Sequence, residues 1–279
     1  MVAARPGRFK CVDETSDGLR EAVDRAADYI RGHGGPFDRA RFAALTGGGL
    51  LAAEPDANDT AAVLEPPEPQ NPDGGWAAPW SGGASSLDAT CFMLDQLSDL
   101  DDARTTANVS AALEFIEAAQ SPDGTWREGQ SDRTPEWLMP GSASARVYLT
   151  ANCACTLLVA KTAADAVERA ARALEWALDP HGRLPGPMVA HWLGARVFRE
   201  TGRELAARRL LDVVGRVFEQ LDATDLAWFG SDTQPGDRWT KRIALRLVAS
   251  QEPDGSWIDE SGQPSPRLTV TACRVLLRA

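Results

Sequence analysis

Gln120-Ser-Pro-Asp-Gly-Thr-Trp126 is the stretch from which the fold can be read. It returns as Gln70-Asn-Pro-Asp-Gly-Gly-Trp76 and Gln251-Glu-Pro-Asp-Gly-Ser-Trp257, and in reduced form as Asp179-Pro-His-Gly-Arg-Leu184. Pro-Asp-Gly is turn chemistry: Pro presets φ, Asp bonds the local backbone, and Gly takes φ > 0. Internal repetition of this kind governs the architecture.

Amphipathic helices lead into the turns. Val109–Gln120 places Leu113, Phe115, Ile116 and Ala119 at helical spacing, and Trp239–Gln251 does so with Ile243, Leu245, Leu247 and Val248. Val167–Leu178 leads into the reduced turn in the same way. More apolar helices follow the turns, opened by short polar segments: Leu87-Asp-Ala-Thr-Cys91, Leu149-Thr-Ala-Asn-Cys153, Leu221-Asp-Ala-Thr-Asp225 and Leu268-Thr-Val-Thr-Ala272, with Met188-Val-Ala-His-Trp192 as a divergent member. The unit is an outer amphipathic helix, a Gly turn and an inner apolar helix. Such hairpins cannot bury their apolar faces alone. Inner helices apolar nearly all round need neighbours on every side, which favours a closed ring over an open solenoid. The expected fold is all-α, an α/α toroid of about five or six hairpins with units of roughly 35–60 residues. No period-two strand pattern competes.

We expect one toroid domain over residues 1–279, with 1–15 flexible and long loops at 47–70 and 127–144. The first hairpin should have helices near Asp17–Arg31 and Phe37–Leu45. Loops of this length often act as lids.

A net charge of −11 and a pI near 4.8 argue against nucleic acid as a partner. An acidic protein can still hold a diphosphate on a local Arg pair. The N-terminal residues carry charge without an apolar core, so no secretory signal is expected. No segment approaches the apolar length of a membrane span. Five cysteines (Cys11, Cys91, Cys153, Cys155 and Cys273) sit mostly within apolar helical patterns, as reduced thiols of a cytoplasmic protein would. Cys153-Ala-Cys155 lacks a second pair at zinc-finger spacing.

The helix-Gln-x-Pro-Asp-Gly-x-Trp arrangement resembles the QW repeat of squalene–hopene cyclases, oxidosqualene cyclases and other class II terpene cyclases, and the related repeat of protein prenyltransferase β subunits. The resemblance covers roughly residues 65–279. It implies the α/α toroid more than any one reaction. It also implies that Gln70, Gln120, Gln251, Trp76, Trp126 and Trp257 tie helix ends together and stand outside the site.

Class II cyclases protonate an alkene or epoxide with an Asp-x-Asp-Asp motif whose middle Asp is protonated and dry. Asp99-Leu-Asp-Asp102 matches that string literally and makes Asp101 a candidate acid. It falls after an inner helix, where acids also serve as helix N-caps. The contextual match is Gly74-Gly-Trp76 followed by Ser86-Leu-Asp-Ala-Thr90, which puts Asp88 at the middle position. Ser86 and Ala89 stand where the motif carries acids, so Asp88 is either a retained acid or a helix cap. Asp225, with Asp222 one turn earlier, holds an analogous place and would face Asp88 across the rim.

Trp80, Trp137, Tyr148, Trp192 and Trp228, with Phe229, are candidates for an aromatic cavity wall able to stabilise cations or for ordinary core. Arg146 is a candidate phosphate contact. Cys153 and His191 lie near inner-helix starts. Asp88, Cys91, Cys153 and His191 are the ligand types of a prenyltransferase zinc site, but the Asp-x-Cys spacing is absent, so no metal or cofactor is expected.

The implied function is a stand-alone class II terpene cyclase-like protein cyclising a prenyl or polyprenyl chain by protonation. The alternatives are a non-catalytic prenyl- or lipid-binding module and a zinc-dependent prenyltransferase-like protein. Glycan cleavage on an α/α barrel rests on fold analogy alone. The partner implied is a small isoprenoid molecule; the sequence sets no oligomeric state.

Overall fold

The computed structural model describes residues 13–48, 68–100, 103–129, 131, 133–234 and 236–279. Eleven α-helices account for most of them: α1 (Asp13–His33), α2 (Pro36–Thr46), α3 (Leu87–Leu97), α4 (Ala103–Ala118), α5 (Ala143–Val159), α6 (Ala164–Ala177), α7 (Val189–Glu200), α8 (Glu204–Val217), α9 (Ala223–Asp232), α10 (Arg238–Ala249) and α11 (Pro266–Leu276). Two strands of two residues each, Trp76–Ala77 and Ser85–Ser86, pair antiparallel with Trp76 opposite Ser86. They are too short to show a hydropathy period.

The helices form two concentric layers. α5 buries Ala145, Val147 to Ala151, Cys153 to Cys155 and Leu157, so it is covered nearly all round. α8 buries only Ala207, Leu210, Val213 and Val214, while Arg208, Arg209 and Asp212 face out. The inner series packs α3 on α5, α5 on α7, α7 on α9, α9 on α11 and α11 on α2. α4, α6, α8, α10 and α1 buttress it from outside. The forecast hairpin helices are present, with ends displaced by a few residues.

The repeated turns hold the layers together. In each complete turn the Gln Nε2 donates to the carbonyl of its own turn glycine and to a carbonyl of the next outer helix. Gln70 reaches Gly74 and Asn108, Gln120 reaches Gly124 and Ala166, and Gln251 reaches Gly255 and Ala22. The last of these bonds the end of the chain to α1, which closes the ring. Arg169 and Arg25 donate to the Oε1 atoms of Gln120 and Gln251.

The glycines are obligatory because the next helix is so close. A Cβ at Gly255 (φ +90°) would stand 2.2 Å from the Arg25 carbonyl oxygen, and one at Gly74 (φ +91°) 2.3 Å from that of Ala111. The three Trp side chains are fully buried. The Nε1 atoms of Trp126 and Trp257 bond Ile116 and Leu247 carbonyls of the preceding helix. The reduced turn keeps the backbone pattern, Asp179 N to Arg183 O and Gly182 N to Asp179 O. Leu178 and Leu184 there replace the Gln and Trp side-chain bonds with packing.

At the far ends of the inner helices the ring is plugged by charge. Arg41 is fully buried and donates to Asp99 and Gln96, while Arg274 reaches Asp95 and Asp99. Asp99, the first acid of the literal Asp-x-Asp-Asp string, is therefore a buried ion-pair partner. Asp101 and Asp102 lie outside the described residues. Among the described residues no helix is long and apolar enough to cross a membrane.

Candidate active site

Asp88 sits in the first turn of α3. Its position follows from local chemistry: Ser86 caps the helix by accepting from Ala89 N at 3.2 Å, and the ribbon pairs Ser86 with Trp76. Thr90 Oγ1 donates to the Ser86 carbonyl at 2.6 Å and accepts from Trp76 N at 3.0 Å, welding the helix start to the repeat turn. The same device recurs at Trp126 N with Thr150 and at Trp257 N with Thr269.

Those threonines set the true register of the inner helices. Thr90, Thr150 and Thr269 are equivalent, so the Leu87–Cys91 and Leu149–Cys153 segments of the sequence alignment are offset by two residues. Two positions before each Thr stand Asp88, Tyr148 and Arg267. In α9 the N-cap is Asp222, which accepts from Asp225 N, so Asp225 stands three residues past its cap where Asp88 stands two past Ser86.

Asp88 and Tyr148 meet. Tyr148 Oη donates to Asp88 Oδ1 at 2.6 Å, and Asn152 Nδ2 donates to Tyr148 Oη at 3.3 Å. Burial raises Asp88 from its ordinary 3.8 to about 6; the bond from Tyr148 opposes this and the charge of Glu128 adds to it. Burial and then the Asp88 charge hold the Tyr148 phenol well above its usual range, so it stays a donor.

Glu128 comes from the loop after the second turn and is buried. Its carboxylate accepts from Leu87 N at 3.1 Å, Asp88 N at 3.2 Å, Ser86 Oγ at 3.0 Å and Gly129 N at 3.2 Å. Sequence reading passed over Glu128 and Asn152. Glu128 looks like one acid in a long polar loop, and only its two-residue distance from Trp126 hinted that it points inward.

The other candidates divide. Trp137, carried on a 3₁₀ turn at Glu136–Leu138, meets Tyr148 edge-on at 5.7 Å and Trp80 at 6.0 Å. These rings run outward from Asp88, and Trp137 is exposed. Cys153 Sγ lies 3.8 Å from Cys91 Sγ, buried beside the pair. Arg146 is exposed near the start of α5. No hydrogen bond joins Asp225 to Asp88; burial raises it, and the neighbouring charges acting on it are Asp222 and Glu260. His191 is buried, with its imidazole held below the usual range by burial. Trp192 is fully buried and stacked on Phe229 at 5.4 Å.

Trp228 lines a cavity of about 380 Å³ together with Phe92, Thr224, Arg267 and Leu268. Phe92 lies one turn along α3 from Asp88, and Arg267 holds the register position equivalent to it. Asp88 itself does not line this cavity, which runs on to Asp95 and Gln96 near the other end of α3. Asp38, Asp95, Asp259 and Glu260 make its wall partly polar. A groove of about 450 Å³ lies outside the ring between α8 and α10. Among the described residues no three His, Cys, Asp or Glu side chains are grouped to hold a metal ion.

Solved structures share this arrangement of helices. A variant of type II terpene cyclase MstE from Scytonema, in complex with geranylgeranyl dihydroxybenzoate, is similar with a TM-score of 0.57 and 12% identity over 96% of this chain and 99% of that one. The chain has a terpenoid-cyclase-like α/α-toroid fold. Apo MstE gives a TM-score of 0.55 and 13% identity over 94% and 98% of the two chains. A protein from Actinoplanes gives 0.56 and 18% identity over 93% and 98%. No family model and no curated protein matches the chain. At these identities the likeness is one of fold, and in this terpenoid-cyclase-like toroid the chemistry has to be argued from the side chains around Asp88.

Proposed function

We propose that this chain is a stand-alone class II terpene cyclase-like enzyme that cyclises a prenyl or polyprenyl substrate, with Asp88 as the proton donor. The observation that carries the reading is a carboxyl raised to about 6 and oriented on one oxygen by the Tyr148 hydroxyl. That leaves Oδ2 to carry the proton. In the reaction the Oδ2–H bond breaks and a C–H bond forms on one alkene carbon, which leaves a cation on the other. The π pair of the next alkene closes the ring, and loss of a proton from the final cation to a base ends the sequence. Trp80, Trp137 and Tyr148 supply π faces for the cationic stages.

Support also comes from the similar solved structure, whose bound ligand is a prenylated aromatic acid. The test is incubation of purified protein with prenyl diphosphates and prenylated aromatics, with cyclic products sought by mass spectrometry and Asp88→Asn as control. Undiminished turnover in Asp88→Asn would reject Asp88 as the acid.

A second reading is a non-catalytic module that holds a prenyl or lipid chain. It is favoured by the carboxylates in the cavity wall and by Ser86 and Ala89 at the places of the motif's flanking acids. Saturable binding of a prenyl ligand without product supports it, and any turnover counts against it.

A further inference from the structure

We propose that Glu128 is the positioning residue of Asp88: its carboxylate occupies the amide end of α3 and so assigns the proton to Asp88. The inference rests on the reading of Asp88 as proton donor. It deepens that reading by naming what replaces the missing flanking acids.

The N-terminus of a helix carries a partial positive charge and unpaired N–H groups. Left alone, both would stabilise an ionised Asp88 in the first turn and spoil it as an acid. Here the Leu87 and Asp88 amides are taken by Glu128, at 3.1 and 3.2 Å. The positive end of α3 is met by a fixed anion from a separate loop. Two carboxyl groups in one desolvated site do not both ionise easily. The number of donors decides between them. Glu128 accepts from three backbone amides and the Ser86 hydroxyl, whereas the side chain of Asp88 accepts from Tyr148. The denser donor set around Glu128 therefore leaves the proton to Asp88. The other titratable groups facing Asp88 from the packed elements are Tyr148 and Cys153 on α5 and Cys91 on α3; burial holds the Tyr148 phenol and the Cys153 thiol well above their usual ranges.

A plain N-cap would stabilise α3 without touching the titration of Asp88, so titration distinguishes the two roles. The carboxyl of Asp88 is followed by carbon-13 NMR of aspartate-labelled full-length protein and assigned by its loss in Asp88→Asn. With Glu128→Gln, which keeps an acceptor and removes the charge, the Asp88 midpoint should fall by about one pH unit. Glu128→Asp, which withdraws the charge by one methylene, should give an intermediate fall. A midpoint unchanged in either folded variant overturns the proposal. Failure of both variants to fold overturns it as well, since Glu128 would then be a structural cap. No substrate enters this experiment. The expected shift in a protein without turnover would leave the carboxyl pairing standing and remove the cyclase reading.

Discussion

Tyr148 on α5 donates a 2.6 Å hydrogen bond to Asp88 on α3, and these two residues occupy the same register position of two successive inner helices. The repeat thus brings equivalent positions of neighbouring hairpins into contact at the rim of the ring. One carries a carboxyl and the other the hydroxyl that donates to it. Asn152, one turn further along α5, fixes the phenol in turn.

Asp88→Asn separates catalysis from stability. Asp88 is harder to ionise in the folded protein than in the unfolded chain, so the native state holds the extra proton between about pH 4 and 6 and stability falls as pH rises through that window. Above it the ionised carboxyl costs on the order of 3 kcal/mol. The Asn variant should lose turnover and melt at or above the wild-type temperature at pH 8. A lower melting temperature at that pH would show that the carboxylate is stabilising.

Turnover in the wild type should decline as pH rises through about 6, because the donor must be protonated. Tyr148→Phe removes a bond that lowers the Asp88 value, so the declining limb should move to higher pH. It should also cost about 1–2 kcal/mol by leaving Asn152 and Asp88 short of a partner. A pH–rate profile and a denaturant melt check both; a limb displaced to lower pH would contradict the geometry.

Asp99→Asn tests the literal motif. Asp99 neutralises two buried guanidinium groups, Arg41 and Arg274, so breaking these pairs should cost about 3–5 kcal/mol. The protein that folds at low temperature should retain turnover and an unmoved pH limb. Loss of chemistry in a folded Asp99→Asn protein would return attention to the Asp99–Asp102 string.

Gly255→Ala should destabilise the ring more than Gly262→Ala. Both glycines have positive φ, but nothing lies within 4 Å of a Cβ at Gly262, whereas at Gly255 it would meet the Arg25 carbonyl oxygen at 2.2 Å. The strained conformation alone is worth about 1–2 kcal/mol, and the clash should add roughly 1–3 kcal/mol. Equal melting temperatures for the two variants would mean that the seam between the last turn and α1 is loose.

The architecture was legible because the turn residues answer to local rules. Pro-Asp-Gly makes a turn wherever it stands, and helices with one apolar stripe or with apolar residues all round announce their layer. The Gln side chains were legible as ties, though not that Gln251 would reach Ala22 to close the circle. Asp88 was reached from its place after a Gly-Gly-Trp turn. Its companions were not. Glu128 lies 40 residues further along the chain, and Tyr148 stood out only as a wall aromatic, its pairing with Asp88 hidden by an alignment two residues out of register, which only the Thr90 and Thr150 bonds corrected. Asp225 looked equivalent to Asp88 because adjacent residues at a helix start share composition; it stands three residues past its Asp222 cap, and the charges acting on it are Asp222 and Glu260.

The sequence by itself determined the repeated hairpins, the layer of the helices that flank the repeated turns and the phase that singled out Asp88, because turn chemistry and helical periodicity act within a few residues. Tertiary structure alone decided the surroundings of Asp88, because Tyr148 on α5 and Glu128 after the second turn reach the start of α3 only when the ring closes.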